Sequence, residues 1–400
     1  MSTDSTTAAV GRGRRRVLTA PDSHAGTLLE VDDLRTSFVT PRGVVTAVDG
    51  VSLSLERGRT LGVVGESGSG KSVLARSIMG LLGNRNVRRS GSVRYAGQEL
   101  TELNRKDLRS LWGTGMAMVF QDPMTSLNPV MKIGRQLTEG LRRHLDMSKD
   151  DANATAVELL SSVGIPEPER RLSQYAHELS GGMRQRVTIA IALACGPKLL
   201  FADEPTTALD VTVQAQILNL LQAQQHERHM AMVLVTHDLG VVAGRTDDIA
   251  VMYAGQIVET APTRTLFANV RMPYTEALLK SIPKLEQPSH TRLQIIGGRP
   301  PDLISPPAGC RFSPRCPYAQ DKCRTEQPPL IEAEQPGHLF RCWFPVGTDA
   351  GREAFERNLA AGVPAAIAAR TGDAAAVELA DERGLATQTS TTDTAPGSNA

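Results

Sequence analysis

A glycine-rich octapeptide, GESGSGKS at residues 65–72, limits the possible folds of this chain more than any other stretch. It follows the apolar run LGVV and leads into KSVLARSIMGLLG at 71–83, which is typical of a helix. Small residues let consecutive backbone N–H groups curl around a phosphate, and the N-terminus of the helix adds its dipole. The pattern predicts a nucleoside-triphosphate site in which Lys71 binds the β- and γ-phosphates and Ser72 binds Mg²⁺. The loop residues expected to bind the nucleotide are Gly65, Glu66, Ser67, Gly68, Ser69, Gly70, Lys71 and Ser72.

Two carboxylates end a second apolar run, LLFADE at 199–204. Asp203 is expected to take part in the coordination shell of Mg²⁺. Glu204 is the next residue, so its side chain should point in a different direction and could polarise an attacking water. An acidic pair of this kind is by itself common in surface turns, so its weight comes from the phosphate loop upstream. A third apolar run, MAMVLVTHD at 230–238, follows a helical pattern. Strand, helix and strand in this order, with apolar strands, predict an α/β fold whose parallel sheet is covered on both faces.

Changes in composition and in hydrophobic pattern divide the chain into several segments. A length of 400 residues predicts two or three folding units. Residues 1–27 are polar, small and dotted with arginine, so they are predicted to be disordered. Alternating patterns from Leu28 onward predict antiparallel strands joined by a turn at 41–43. After about residue 285 the chain is rich in proline and cysteine, and residues 346–400, rich in Ala, Gly and Thr, predict a second disordered tail.

Charge and hydropathy narrow the range of partners. The chain has 44 Lys and Arg against 43 Asp and Glu, so its net charge gives no indication of a nucleic-acid partner. The most apolar window, at 187–202, is broken by Gly196, Pro197 and Lys198, and it is shorter than the roughly 18–20 apolar residues of a membrane span. The basic run at 12–16 is not followed by an apolar segment, so it does not predict a secretory signal. We therefore expect a soluble chain.

A further motif brings a known family into view. LSGGMRQR at 179–186 resembles the signature sequence of ABC ATPases, and it lies between the phosphate loop and the acidic strand, as that family requires. The resemblance extends from about Leu28 to Phe344. The other matching positions are Phe38 for the aromatic that stacks on adenine, Gln121 for the Q-loop glutamine, Asp210 in the D-loop sequence TALD, and His237 for the switch histidine.

The resemblance implies an ATPase whose nucleotide is sandwiched between two subunits in a head-to-tail dimer. Ser180, Gly181 and Gly182 would then cap the γ-phosphate held by the loop of the partner subunit. Met183 stands where the commonest signature has glutamine, and we expect this change to mark a subfamily. The implied catalytic residues are Glu204, His237 and Gln121, and the implied Mg²⁺ ligands are Ser72, Gln121 and Asp203.

The resemblance also implies a fold. We expect a P-loop ABC ATPase core, in which a mixed sheet carries helices, together with an antiparallel β subdomain. An α-helical signature subdomain is expected at about 122–190, inside an ABC ATPase domain at 28–285. A small cysteine-rich C-terminal domain of the oligopeptide-transporter type is expected at 286–345.

Three stretches, at 120–137, 271–283 and 309–323, resemble the dipeptide and oligopeptide permease ATPases, which belong to the peptide and nickel importer branch. The resemblance implies that ATP hydrolysis drives peptide import, with nickel or another small solute as the alternative, because the ATPase never touches the cargo. Implied partners are two transmembrane permease subunits, docking near residues 121–137, a second similar ATPase subunit, in a heterodimer or a homodimer, and an extracytoplasmic substrate-binding protein. The implied location is the cytoplasmic face of the membrane. An ABC ATPase outside transport is disfavoured, because the chain has neither a second ATPase unit nor a long coiled coil.

Four of the five cysteines lie close together near the end of the matching region, with the spacing C-x5-C-x6-C-x18-C. In the reducing cytosol a disulfide pair is disfavoured, so four thiols in a proline-rich segment predict a metal site. The spacing lacks the tight C-x2-C knuckle of common zinc ribbons, and the resemblance implies a [4Fe–4S] cluster, with zinc and unligated thiols as alternatives. Cys195 is predicted to be a packing residue. The candidate ligands are Cys310, Cys316, Cys323 and Cys342.

Overall fold

The computed structural model describes residues 26–83, 85–207, 209–282 and 296–371. Most of the predicted N-terminal tail and residues 372–400 of the predicted C-terminal tail lie outside these ranges. The strands are β1 Thr27–Thr40, β2 Gly43–Glu56, β3 Thr60–Val64, β4 Val87–Tyr95, β5 Gln98–Glu99, β6 Met116–Val119, β7 Leu199–Asp203, β8 Ala231–Thr236, β9 Asp248–Tyr253, β10 Gln256–Pro262, β11 Ile331–Glu332 and β12 Leu339–Phe340. The helices are α1 Lys71–Ile78, α2 Arg105–Leu111, α3 Pro123–Ser126, α4 Ile133–His144, α5 Lys149–Ser162, α6 Pro168–Leu172, α7 Gly181–Leu193, α8 Val211–Glu227, α9 Leu239–Val242, α10 Thr263–Ala268, α11 Pro273–Lys280, α12 Asp321–Thr325, α13 Asp349–Ala360 and α14 Pro364–Thr371. Within the described ranges, 3₁₀ helices are found at Ala176–Glu178 and Ser313–Arg315.

The N-terminal strands form an antiparallel sheet with the order β2-β1-β4-β5. Strands β1 and β2 pair up to Thr40 and Gly43, which confirms the predicted strands and the turn between them. Leu29 and Val31 are buried, because successive side chains of a strand point to opposite faces and one face of this sheet packs on the core.

The central sheet has the order β11-β12-β10-β9-β3-β8-β7-β6. Strands β6, β7, β8, β3 and β9 run parallel to one another. This confirms the parallel arrangement that was predicted from the apolar runs of β7 and β8. Strands β10, β12 and β11 extend this sheet in antiparallel fashion. The structure therefore confirms a mixed α/β fold with one antiparallel and one mixed sheet.

Alternate residues of the parallel strands contribute to two different apolar cores. On β7, Leu200 and Ala202 belong to the core shared with the helices, whereas Leu199 and Phe201 belong to the core shared with the antiparallel sheet. A strand buried on both faces needs apolar side chains at every position, which explains why LLFA is a continuous apolar run. Within the described residues, no helix combines the length and apolar character needed to cross a membrane.

Helix α1 is shorter than predicted. The sequence pattern indicated a helix through residue 83, but the helix ends at Ile78 and Gly80 adopts a φ of 66°. Left-handed backbone of this kind is typical of a residue just past a helix C-terminus and favours glycine. The apolar residues after Gly80 therefore continue outside the helix.

The prediction of disorder from residue 346 onward is wrong for the part of the tail that the structure describes. Helices α13 and α14 occupy most of residues 349–371. Thr348 caps α13, and buried Asn358 donates hydrogen bonds to the carbonyl oxygens of Pro317 and Ala319. The Ala- and Gly-rich composition resembled a tail, but alanine favours helices and small residues allow close packing. The division of the chain into the domains proposed from sequence remains a prediction.

Candidate functional site

The phosphate loop follows β3 and leads into α1, as predicted, and its backbone geometry requires glycine at two places. Gly70 has a φ of 105°, and a Cβ there would lie 2.2 Å from the carbonyl oxygen of Ala47 on β2. A Cβ on Gly65 would lie 2.0 Å from the carbonyl oxygen of Met252 on β9. Strands β2 and β9 therefore lie so close to the loop that only glycine fits at positions 65 and 70.

Four strands bring the candidate residues to one edge of the central sheet. The loop begins directly after β3, Gln121 comes just after β6, Asp203 ends β7, and His237 follows β8. Because these strands are parallel and adjacent, their carboxyl ends meet at the same edge. The topology thus brings together residues that are as far apart in the sequence as Gly65 and His237.

Lys71 is buried at the centre of this edge. Its Nζ donates hydrogen bonds to the carbonyl oxygens of Gly65, at 2.7 Å, and Glu66, at 3.0 Å. It also lies 3.8 Å from a carboxylate oxygen of Glu204. Burial lowers the pKa of Lys71, and the nearby charges of Glu204 and Asp203 act in the opposite direction. The ammonium is thus held among carbonyls and carboxylates that a triphosphate would replace.

Ser72 and Asp203 form the second part of the site. The Ser72 hydroxyl donates a 2.7 Å hydrogen bond to Oδ1 of Asp203, whose side chain is fully buried. Burial raises the pKa of Asp203, although this hydrogen bond and the Arg76 charge act in the opposite direction. The other oxygen, Oδ2, is buried and has no hydrogen-bond partner. A hydroxyl beside a buried carboxylate with an unused oxygen fits the oxygen-ligand chemistry of Mg²⁺.

Glu204 receives three polar side chains. Gln121 Nε2 donates to its Oε2 at 3.1 Å, the Thr207 hydroxyl donates to the same oxygen at 3.0 Å, and His237 Nδ1 lies 3.4 Å away. The residue has a φ of 45°, an unusual backbone conformation for a side chain other than glycine. Strain of this kind is often found at functional sites, where the surrounding fold holds it in place. The structure therefore brings Gln121, Glu204 and His237 together.

Other candidate residues lie away from this cluster in the single chain. Phe38 is half-buried on β1, opposite Val45 and Val87. Exposed Ser180 caps α7, where its hydroxyl accepts a hydrogen bond from the Met183 amide. Gly181 and Gly182 form the first turn of this helix. Asp210 caps a different helix, α8, where its side chain accepts a hydrogen bond from the Val213 amide.

The site is also contacted by residues that the sequence patterns do not predict: Thr207, Arg76, Tyr274 and Arg315. Thr207 is part of the D-loop sequence, so its hydroxyl could have been singled out there. Arg76 lies 3.7 Å from Asp203, one helical turn beyond Ser72 on α1. Tyr274 and Arg315 come from distant segments, and they contact Glu66 of the loop through its amide and its carboxylate. Nothing in the sequence pairs these two residues with the loop.

The cysteine-rich segment forms a separate candidate site. Burial raises the pKa of the Cys310 thiol to about 11, and it also raises the pKa of the Cys316 and Cys342 thiols. Across the part of the chain that the structure describes, no three His, Cys, Asp or Glu residues are placed to hold a single metal ion. One cavity is nevertheless lined by all four candidate ligands, Cys310, Cys316, Cys323 and Cys342.

Comparison with known proteins identifies the family. A family model described as "ABC transporter" matches residues 48–207, and one described as "Oligopeptide/dipeptide transporter, C-terminal region" matches residues 258–323. The oligopeptide transport ATP-binding protein OppD of Salmonella typhimurium is 50% identical over 322 residues, which are 80% of this chain and 95% of that protein. The chain belongs to the oligopeptide and dipeptide transport ATP-binding family. Membership makes it the ATPase component of an ABC transporter.

Two further comparisons agree with this family assignment. The dipeptide transport ATP-binding protein DppD of Escherichia coli is 47% identical over 325 residues, covering 81% of this chain and 98% of that protein. Among solved structures, a dimeric ATP-binding cassette in a post-hydrolysis state bound to ADP and phosphate aligns with a TM-score of 0.54 and 26% identity. That alignment covers 59% of this chain and 99% of the cassette.

Proposed function

We propose that this family member hydrolyses ATP to drive the import of oligopeptides or dipeptides. The observation that carries the proposal is the cluster of Lys71, Ser72, Asp203 and Glu204 at one edge of the central sheet, where Ser72 donates a 2.7 Å hydrogen bond to Asp203. The relatives named for oligopeptide and dipeptide transport match along about four-fifths of the chain and support peptides as the cargo. Nickel or another small solute is the alternative cargo.

The contacts among the site residues support a distinct role for each of them. The loop amides and Lys71 would bind the phosphates, and Ser72 and Asp203, with Gln121 nearby, would hold Mg²⁺, which supplies charge neutralisation at the phosphates. Glu204 would accept the proton of the attacking water, because its carboxylate lies beside the other groups and can serve as a base. His237 and Gln121, which contact Glu204, would orient that water and the terminal phosphate.

The exposed cap of α7 supports a dimer as the active form. Ser180 and the first amides of α7 form a helix N-terminus of the kind that binds anions, but these residues are exposed in the single chain. A second ATPase subunit in head-to-tail orientation would bring its phosphate loop to this cap, and Asp210 would lie close to the same interface. The related cassette, whose structure is a dimer bound to ADP and phosphate, supports a dimeric form.

Exposed apolar residues close to Gln121 in the sequence support docking on a membrane permease. Phe120, Met124 and Val130 are 39%, 61% and 84% exposed. Large exposed apolar side chains are often found at protein interfaces. We assign this stretch to contact with one of two transmembrane permease subunits, which would place the chain on the cytoplasmic face of the membrane and connect it to a substrate-binding protein outside.

We further propose that the four cysteines of the C-terminal segment hold a [4Fe–4S] cluster. Cys310, Cys316, Cys323 and Cys342 line one cavity. Cysteine thiolates are the usual ligands of such a cluster, and the spacing C-x5-C-x6-C-x18-C lacks the tight C-x2-C knuckle of common zinc ribbons. Zinc is the alternative metal.

Metal analysis tests the cluster. Protein purified without oxygen is expected to show broad visible absorption and about four iron atoms per chain. Cys316→Ser should lose most of the iron and the absorption, because it removes one of the four ligands. Cys195→Ser is the matched control, since Cys195 does not line the cavity, and it should keep both signals. Zinc in place of iron, or equal iron loss in both variants, would contradict the proposal.

Uptake measurements test the cargo. Cells that lack this chain are expected to take up a labelled tripeptide far more slowly than wild-type cells, and the wild-type gene should restore uptake. Nickel uptake should be unchanged, because under this proposal the permease that the ATPase drives carries peptides and not nickel. Loss of nickel uptake with normal peptide uptake would contradict peptide import while leaving ATP hydrolysis in place.

A further inference from the structure

We propose that Arg315, in the cysteine-rich segment, is a positioning residue for the phosphate loop. It would act by clamping Glu66, so that the loop amides keep the conformation that receives a triphosphate. The proposal extends the ATP-binding role given above to a residue outside the ABC transporter match at 48–207, and it rests on that role.

The clamp is a two-pronged ion pair. Nη1 and Nη2 of Arg315 donate to the two carboxylate oxygens of Glu66 at 2.7 and 2.8 Å. The Arg315 side chain is 3% exposed and that of Glu66 is 26% exposed, so the pair is largely shielded from water. Paired hydrogen bonds between a guanidinium and a carboxylate fix distance and orientation together, which a single lysine cannot do.

Arg315 is itself held rigidly from the other side. Its Nε and Nη2 donate to the carbonyl oxygens of Gly297 and Ile296, at 2.9 and 3.1 Å, and its guanidinium lies over the rings of Tyr253 and Phe312. A side chain whose conformation is already fixed loses little entropy when it pairs with the loop. The guanidinium is therefore a fixed support for Glu66 and not a flexible surface partner.

The backbone of Glu66 is held as well, but one of its contacts must change when nucleotide binds. The amide donates to the Tyr274 hydroxyl at 2.8 Å, and the carbonyl accepts from Lys71 at 3.0 Å. When Lys71 turns to the phosphates, it has to release that carbonyl. Arg315 and Tyr274 are then the contacts that keep Glu66 in place, so the clamp matters most in the nucleotide-bound loop.

The position of Arg315 also links the loop to the candidate cluster. Arg315 ends the 3₁₀ helix Ser313–Arg315, and Cys316 follows it directly, so the clamp and one wall of the cysteine cavity share a short stretch of backbone. A change in the conformation of this stretch would move the guanidinium away from Glu66. Nucleotide affinity is therefore expected to depend on the integrity of the cysteine-rich segment.

Steady-state kinetics of the full chain test the positioning role. Arg315→Gln is expected to raise the KM for ATP by roughly 10- to 100-fold and to leave kcat within about threefold, because it disturbs binding and leaves the groups around Glu204 intact. Arg315→Lys should give an intermediate KM, because lysine keeps the positive charge but cannot form the paired hydrogen bonds to both carboxylate oxygens of Glu66. The matched control is Arg341→Gln, since Arg341 lies in the same segment and, within the described residues, donates side-chain hydrogen bonds to the carbonyls of Ile257 and Pro328 and not to the loop.

A double-mutant cycle makes the result specific to the pair. Glu66→Gln, introduced on the loop side, should raise KM like Arg315→Gln, and it can be measured even if the arginine variant does not fold. The double variant should be no worse than either single one, because both remove the same interaction. An unchanged KM in Glu66→Gln, strictly additive effects, or an equal rise in Arg341→Gln would overturn the inference. A wild-type chain that binds no ATP would instead contradict the proposed function.

Discussion

Replacing Glu204 with glutamine is expected to lower the rate of ATP hydrolysis by about 100- to 10,000-fold. Glutamine has the same size and can still contact Gln121, Thr207 and His237, but its amide cannot take a proton from water. The carboxylate is held by hydrogen bonds at 3.0 and 3.1 Å, so the substitution should not release the side chain from its neighbours. Nucleotide binding should persist, because Lys71 and the loop amides remain.

The Glu204 variant also reports on the dimer. If hydrolysis separates the subunits, Glu204→Gln should accumulate as an ATP-bound dimer, with a larger apparent mass by size-exclusion chromatography in ATP than in ADP. Glu227→Gln makes the same chemical change at an exposed position on α8 and should hydrolyse ATP normally. A Glu204→Gln protein that hydrolyses ATP at the wild-type rate would contradict the assignment of Glu204 as the base.

Replacing Lys71 with alanine is expected to weaken ATP binding by roughly 10- to 150-fold, the equivalent of one charge-assisted hydrogen bond. The Lys71 side chain is 4% exposed and lies among the carbonyls of Gly65 and Glu66, so no solvent-exposed cation can easily take its place. Without it, the phosphates would also meet the carboxylates of Asp203 and Glu204 with one positive charge fewer beside them.

Titration with a fluorescent ATP analogue, followed by thermal unfolding, tests the lysine. Burial lowers the pKa of Lys71, which means that the ammonium is partly desolvated in the fold. Removing it should therefore cost little stability, and the unfolding midpoint should change less than the affinity. Exposed Lys106 on α2 gives the control, and Lys106→Ala should bind normally. Equal affinities of Lys71→Ala and the wild type would refute the role of Lys71 at the phosphates.

Several elements could be predicted because short-range patterns encode them. The strand before the loop, the acidic strand β7 and the helical α8 follow from apolar runs and from helical periodicity. The loop itself follows from glycine spacing, because the backbone conformation that it needs excludes other residues. The prediction of disorder was wrong for the Ala-rich stretch that forms α13 and α14, because such a composition is found both in disordered tails and in helices. Helix propensity and packing outweighed the resemblance to a tail.

Residue order alone was enough to identify the reactive groups, which are the lysine and serine of the loop and the two carboxylates at the end of β7, and to indicate their family. The residues that support these groups became apparent in the folded chain. Arg315 and Glu66 are 249 positions apart, and β12 joins the central sheet from the cysteine-rich segment. Local sequence patterns indicate which secondary structure each stretch can form. Contacts between distant residues depend on packing and burial in the whole fold, so no single stretch of sequence predicts them.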